Sequence, residues 1–553
     1  MRILSAILLG GVFFVACLDG SELSKNSQVN LENESEQQTK SKSISDSISS
    51  NQGKDVLRVL GADPPTLDPH MVSDTTSAFY VVEIFSGLVS IDTNLQLVPE
   101  IAESWEVSSD GKVYTFKLKR DVKFHNGKKV RAQDFKWSFE RAAAPATASP
   151  VADTYLNDIV GAIDYMKGNA SEISGVTVVD DRTLQITIDA PKAYFLAKLT
   201  YPTAFVLDKE VVQSGGRNWW IGNPIGTGPF KLKEYRIGER LVLERFSTYY
   251  KSLAKLDNVI FNLAGGQSLA MYENGEIDIT GVGLFDIERI LDPSNPLNQE
   301  LEVAPPGFSI YYVGFNISKP PFDDIKFRQA LSHAIDKELI AKEVLSGLSV
   351  PAYGILPPGM PGYNSNIKGL QFDKDLAQKL LSESKYASPD SRPRIVLTVP
   401  GTGGAMGLDL EVIIEMWKSY LGVEVEIQQV EWATYLKDLD KKNFQAFSGL
   451  GWEADYPDPQ DFLDILFHSE SSLNHGNYKN LTADRLLEQA RIESDVKQRF
   501  SLYNEVEKII IQEAPWVPLW FSGERYALVK PYVKGYKFLP MIISKLKEVS
   551  IES

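Results

Sequence analysis

The chain has 553 residues, 43% of them hydrophobic and 24% charged, enough apolar material for two to four domains or one large body of interleaved lobes. Asp and Glu outnumber Lys and Arg by 73 to 57, and a net charge of -16 argues against nucleic acid as a partner, because phosphate binding needs a basic footprint. The single cysteine, Cys17, excludes a disulfide framework and a cysteine-based metal site.

The first element is a leader. Met1-Arg2 is a short positive start, and Ile3 to Ala16 is an apolar run too short for a bilayer span but suited to a signal-peptide core over 1–16. Phe14-Val15-Ala16-Cys17 resembles the lipobox of bacterial lipoproteins, with Phe14 where leucine is usual. Cys17 is therefore the expected lipidation site. From Leu18 to about Lys54 the chain is dominated by Ser, Asn, Gln, Glu and Lys, which cannot bury enough apolar surface to offset the entropy of ordering. Residues 17–54 read as a disordered tether between a membrane-held cysteine and a folded body outside the cytoplasm.

From Asp55 strands and helices alternate. Val113 to Leu118 alternates on one face behind the turn signal Asp110-Gly111, and Val176 to Val179 pairs with Thr183 to Ile188 across Asp180-Asp181-Arg182. Gln133 to Arg141 and Ile325 to Leu345 have helical spacing. Met406, Leu410, Ile413, Ile414, Trp417 and Leu421 recur every three or four residues, the pattern of an amphipathic helix. Gly422 suits the left-handed position after it, and Val423, Val425 and Ile427 alternate with Glu424, Glu426 and Gln428 as the next strand. Helix, glycine stop and strand are the grammar of an α/β fold.

Catalytic constellations are missing from this pattern. The five histidines lack HExxH spacing, Gly265-Gly266-Gln267-Ser268-Leu269-Ala270 lacks the closing glycine of a nucleophile elbow, and no phosphate-binding GxxxxGK[ST] occurs. The expectation is no enzyme, no metal and no cofactor.

Several motifs occur in order along the body. They are Thr66-Leu67-Asp68-Pro69, then Val98 to Val107 followed by Asp110-Gly111 and Tyr114-Thr115-Phe116, then Val122 to Gly127 and Ala132 to Phe135. Further on come Gly226-Thr227-Gly228-Pro229-Phe230, Gly275-Glu276-Ile277-Asp278, Arg328 to Leu331 and Ala334-Ile335-Asp336. Together they resemble the peptide-binding family of ABC-importer substrate-binding proteins, the group typified by oligopeptide-binding and dipeptide-binding proteins. The resemblance runs from about Leu57 to the 530s. It implies a type II periplasmic-binding-protein-like α/β fold: two lobes that close on a ligand by a hinge motion, plus an extra lobe. By that resemblance lobe I is 55–92, 223–302 and 522–553, lobe II is 93–222, and lobe III is 303–521. The implied partners are peptides, the permease and ATPase subunits of an importer, and a membrane reached through the lipid; the implied state is a monomer, periplasmic or at the cell surface.

Gly451-Trp452-Glu453-Ala454-Asp455-Tyr456-Pro457-Asp458-Pro459 stands apart from the other motifs. It holds a carboxylate between aromatics beside proline-rich turns, and a partly desolvated carboxylate costs free energy unless a cation pairs with it. A peptide's α-ammonium is such a cation, and the resemblance implies that Asp455 anchors it. The resemblance also implies main-chain pairing of an extended ligand with Gly451 and Glu453, a facing contact at Thr75, and side-chain pockets lined by Trp432 and Trp452, with Tyr456 beside the anchor. Ungapped matching puts Gly449 and Met406 where family members carry an Arg and a His against a peptide carboxylate, and Val151 where they carry a peptide-contacting tyrosine. The ligand's far end is thus expected to be held differently. Nickel chelates, oligosaccharides and opines, bound by other branches of the fold, remain alternatives, as does a peptide-sensing surface lipoprotein.

Overall fold

The computed structural model describes residues 55–401 and 403–552. The expected signal sequence, Cys17 and the whole expected tether 17–54 lie outside them. Three sheets organise the body. In the first, the strand order is Leu301–Ala304, Arg525–Val529, Ile279–Gly281, Val56–Leu60, Asn258–Asn262, Arg240–Arg245 and Phe230–Arg236. Val56–Leu60 runs parallel to both its neighbours, and Leu57, Leu243, Val259 and Phe261 are buried beneath it. Helix Thr75–Ile84 packs into the same core through Tyr80, Val81 and Ile84. Its carboxyl end lies directly on Gly226 and Gly228, where a Cβ would collide with the carbonyls of Ile84 and Glu83, so the Gly226-Thr227-Gly228 motif is a packing device.

The second sheet is antiparallel, in the order Ala102–Val107, Val113–Leu118, Thr183–Thr187 and Val176–Asp180. Gly111 turns its first hairpin at φ +72°. Phe116, Leu184 and Ile186 bury the alternating face against Phe135 and Phe139 of helix Ala132–Ala143.

The third sheet is ordered Ser349–Pro351, Trp516–Ser522, Ser309–Phe315, Ala446–Phe447, Ile395–Pro400 and Val425–Val430, with Gly451–Glu453 also paired to Ser309–Phe315. Helix Leu408–Leu421 covers it with Leu410, Ile413, Met416, Trp417 and Leu421, and ends at Gly422 in the left-handed conformation, φ 61°. The amphipathic pattern placed this element well except at its start: Met406 precedes the helix, whose cap is Gly407.

The helix expected over Ile325 to Leu345 is broken. It runs over Ile325–His333, stops, and restarts at Lys337 because the Asp336 side chain accepts from Leu339 N–H at 3.0 Å; residues Ile340–Val344 then widen into a π-turn. Apolar spacing alone does not reveal a polar cap in mid-pattern. The chain crosses between the first and third sheets at 305–308 and at 523–524, so the cuts expected after 302 and 521 fall inside strands Leu301–Ala304 and Trp516–Ser522.

One hydrophobic core joins the lobes. Val151, Tyr155, Tyr194 and Tyr201, from the region of the second sheet, pack with Ile310, Tyr456 and Phe462 from the region of the third.

Candidate functional site

Strand Gly451–Glu453 pairs antiparallel with Ser309, Ile310 and Tyr311 on one edge, and its other edge carries no backbone partner among the described residues. Gly451 has to be glycine: a Cβ there would sit 2.8 Å from the Ile310 carbonyl. The close approach seats the strand, and its free edge is left to take another extended chain.

Asp455 follows two residues after Glu453. Both retain accessible surface although protein surrounds them, as groups lining an enclosed cleft do. Burial pushes the Glu453 carboxyl up to about 7. The Asp455 carboxyl is raised by the same desolvation; the phenol of Tyr155, which donates to it from the opposite lobe, lowers it, and the neighbouring charge of Glu453 raises it further. Behind it lies Asp461, fully buried, which accepts from the Asp455 backbone N–H at 3.0 Å and the Trp452 indole N–H at 3.4 Å. Desolvation and the Asp455 charge hold Asp461 far above the usual carboxylate range, and its Oδ1 has no partner.

These three acids contrast with their neighbours. Asp458 pairs with Arg499 at 2.5 Å, Asp464 with Arg491 at 2.7 Å, and Asp158 with Lys192 and Lys198 at 2.5 and 2.7 Å. No cation pairs with Glu453, Asp455 or Asp461 among the described residues.

The remaining expected residues are distributed unequally. Thr75 is half-buried at the start of its helix, capped by Asp74, which accepts from Ser77 N–H at 3.0 Å. The Trp432 indole lies in electrostatic reach of Asp74 without closing a hydrogen bond, so the start of helix Thr75–Ile84 and Trp432 meet here. Trp432 stacks on Tyr435, with ring centroids 6.0 Å apart. Trp452 is half-buried, whereas Tyr456 is fully buried and donates to Gln460, facing the core.

Sequence matching missed Tyr155. It sits one helical turn beyond Val151, which is itself buried in the core. Gly449 has φ +75° and a Cβ there would lie 2.8 Å from Pro400 Cδ, so the backbone resists a side chain at this position. Met406 packs against the third-sheet core. Asp461 was missed as well; an acid in a helix's first turn is common, and nothing in the sequence marks it as enclosed. Surface hollows beside Leu291 and Glu338, and beside Arg289 and Asn295, share no residue with this site.

Residues 96–474 match the model of the bacterial extracellular solute-binding proteins, family 5. A probable deoxycholate-binding periplasmic protein of Escherichia coli is 33% identical over 489 residues, 86% of this chain and 89% of that protein. The structure of the Escherichia coli murein tripeptide binding protein superposes with a TM-score of 0.82 at 30% identity, covering 90% of this chain and 99% of that one; its unliganded open form gives 0.63. A Haemophilus influenzae oligopeptide-binding protein in complex with the peptide RPPGFSPFR gives 0.81 at 26% identity, over 91% of this chain and 100% of that one. The lobes here are thus disposed unlike the open form, in keeping with the core they share.

Proposed function

The chain belongs to family 5 of the bacterial extracellular solute-binding proteins, and on that basis we propose that it captures peptides outside the cytoplasm and delivers them to the permease of an ABC importer. The ligand lies extended along the free edge of Gly451–Glu453, with its α-ammonium on Asp455 beneath Tyr155, and Thr75, Trp432 and Trp452 border it. Main-chain pairing accounts for tolerance of sequence, because backbone groups are common to all peptides. One observation carries the reading: the Asp455 carboxylate has a hydroxyl donor but no cation, in a region where other buried acids are paired. The protein acts as a monomeric binding subunit and not as an enzyme, is held to a membrane through lipid on Cys17, and has three lobes, with the third running between the crossings at 305–308 and 523–524.

Calorimetry with a free and an Nα-acetylated tripeptide tests the anchor. The wild type is expected to bind the free form at least about tenfold tighter, and Asp455→Ala to abolish that difference, since removing one partner of a buried ion pair typically costs about 3–5 kcal/mol. Equal binding of both peptides by the wild type would refute it.

A second reading follows from the relative named for deoxycholate, an anion. Glu453 and Asp455, which have no ion-pair partner among the described residues, oppose an anionic ligand by Coulomb repulsion to the extent that they are ionised. Binding of deoxycholate but of no peptide would decide for that reading.

A further inference from the structure

We propose that Tyr194 is a further positioning residue for the ligand's anchor: through the Arg499 guanidinium it fixes the turn that carries Asp455. The proposal rests on the reading that Asp455 holds the ligand's amino end. Tyr194 belongs to the region of the second sheet. The neighbouring Phe195 packs on Tyr114 of strand Val113–Leu118, with ring centroids 4.9 Å apart. Lys198, whose ammonium lies 5.7 Å from the Tyr194 centroid, is tied to Asp158 at 2.7 Å and to Asn157 at 2.9 Å. From this base the buried Tyr194 ring meets Arg499 of helix Val496–Glu513, in the region of the third sheet, with the guanidinium carbon 5.6 Å from the ring centroid. A cation within about 6 Å of a ring centroid is attracted by the electron-rich face, more strongly where water is excluded. Arg499 is itself buried, so that condition holds.

The same guanidinium ties down the turn after Asp455. It donates to both carboxylate oxygens of Asp458, at 2.5 and 2.9 Å, a two-point fit that a lysine cannot reproduce. Asp458 knots the turn. Its Oδ1 also accepts from Gln460 N–H at 2.9 Å, its carbonyl accepts from Asp461 N–H at 3.1 Å, and its own N–H donates to the Tyr456 carbonyl at 2.9 Å. The Asp461 carboxyl group then accepts from the Asp455 N–H at 3.0 Å. A path of direct contacts thus runs from Tyr194 through Arg499, Asp458 and Asp461 to the Asp455 backbone. Tyr503 also lies by the guanidinium, with its centroid 5.1 Å away, but it belongs to the same helix as Arg499, whereas Tyr194 comes from across the gap. The second-sheet region therefore touches the anchor twice, at its carboxyl group through Tyr155 and at its turn through Tyr194.

The test joins calorimetry, with Ala-Ala-Ala and its Nα-acetyl form, to hydrogen exchange of the 455–461 amides in the ligand-free protein. Tyr194→Leu is expected to reduce the wild type's preference for the free peptide from at least about tenfold to within about threefold. It should also speed exchange at 455–461 by about tenfold. Tyr194→Phe keeps the ring and should hold both quantities within about twofold of the wild type. Arg499→Lys keeps the charge but not the two-point fit; it should match the Leu variant, and it stands in for that variant if the latter does not fold. Unchanged exchange in the Leu and Lys variants, or a Phe variant that loses as much as the Leu variant, would overturn the proposal. So would a loss of affinity that falls equally on both peptides and leaves the wild-type ratio intact, the mark of a merely structural role. If the wild type shows no preference, or binds neither peptide, while exchange responds as expected, the Asp455 anchor fails and the hold of Tyr194 on the turn stands.

Discussion

At the scale of single residues, the site is a set of carboxylates held where water is scarce. Glu453 has its carboxyl raised from 4.5 to about 7, and Asp455 is raised from 3.8. A group whose folded-state value lies above its unfolded one contributes stability that is full below the unfolded value and is lost as pH rises through the folded one. The ligand-free protein should therefore lose stability between about pH 4.5 and 7, by up to about 1.4 kcal/mol per pH unit for each such group. Denaturant melts of Glu453→Gln should show a shallower decline than the wild type over that window; parallel curves would contradict the assignment. Ligand binding draws the acids into their charged form, so a cationic peptide should release protons near pH 7. Calorimetry in buffers of different ionisation enthalpy reads this directly, and a buffer-independent heat would rule it out. At this scale the sequence singles out Asp455 as a carboxylate set between Trp452 and Tyr456, and the structure shows that it is enclosed and accepts from Tyr155. Asp461 is not singled out, since its isolation is created by residues remote in the chain.

At the scale of elements, local pattern accounts for most of what is seen. Helix Leu408–Leu421 and strand Val425–Val430 follow from apolar spacing, and Gly422 stops the helix because a left-handed residue costs a Cβ-bearing side chain free energy. A Cβ at Gly422 would meet nothing within 4 Å, so Gly422→Ala isolates the backbone term. It should destabilise by roughly 1 kcal/mol in equilibrium unfolding; an unchanged midpoint would show that the φ of 61° is not required. The broken helix after His333 shows where pattern reading stops. Its hydrophobic spacing continues, but Asp336 offers the backbone a cap that competes with the helix. Strand Gly451–Glu453 is too short for any periodicity, and its free edge is a property of its neighbours.

At the scale of the whole molecule, a line of contacts runs through all three lobes. Tyr201 donates to the Val72 carbonyl at 3.0 Å, Tyr155 stacks on Tyr201 at 3.8 Å, and the Tyr155 hydroxyl reaches Asp455. Beside it, Ser472 donates to Asp153 at 2.9 Å across the same gap. Helix Ala152–Leu156 thus contributes two contacts across that gap, Tyr155 to Asp455 and Asp153 to Ser472. Tyr155→Phe should shift the ligand-free protein toward an open form, seen as a larger radius of gyration in solution scattering and reversed by peptide. Identical scattering from both proteins would exclude that role. The sequence by itself determined elements with sustained apolar spacing, such as Leu408–Leu421 and Val425–Val430, because these depend on near neighbours. Tertiary structure alone decided that Tyr155 meets Asp455, that a Cβ at Gly449 would crowd Pro400, and that Glu453, Asp455 and Asp461 are enclosed without an ion pair among the described residues. Those outcomes depend on which distant segments are brought together and how much water they exclude, and linear spacing carries neither.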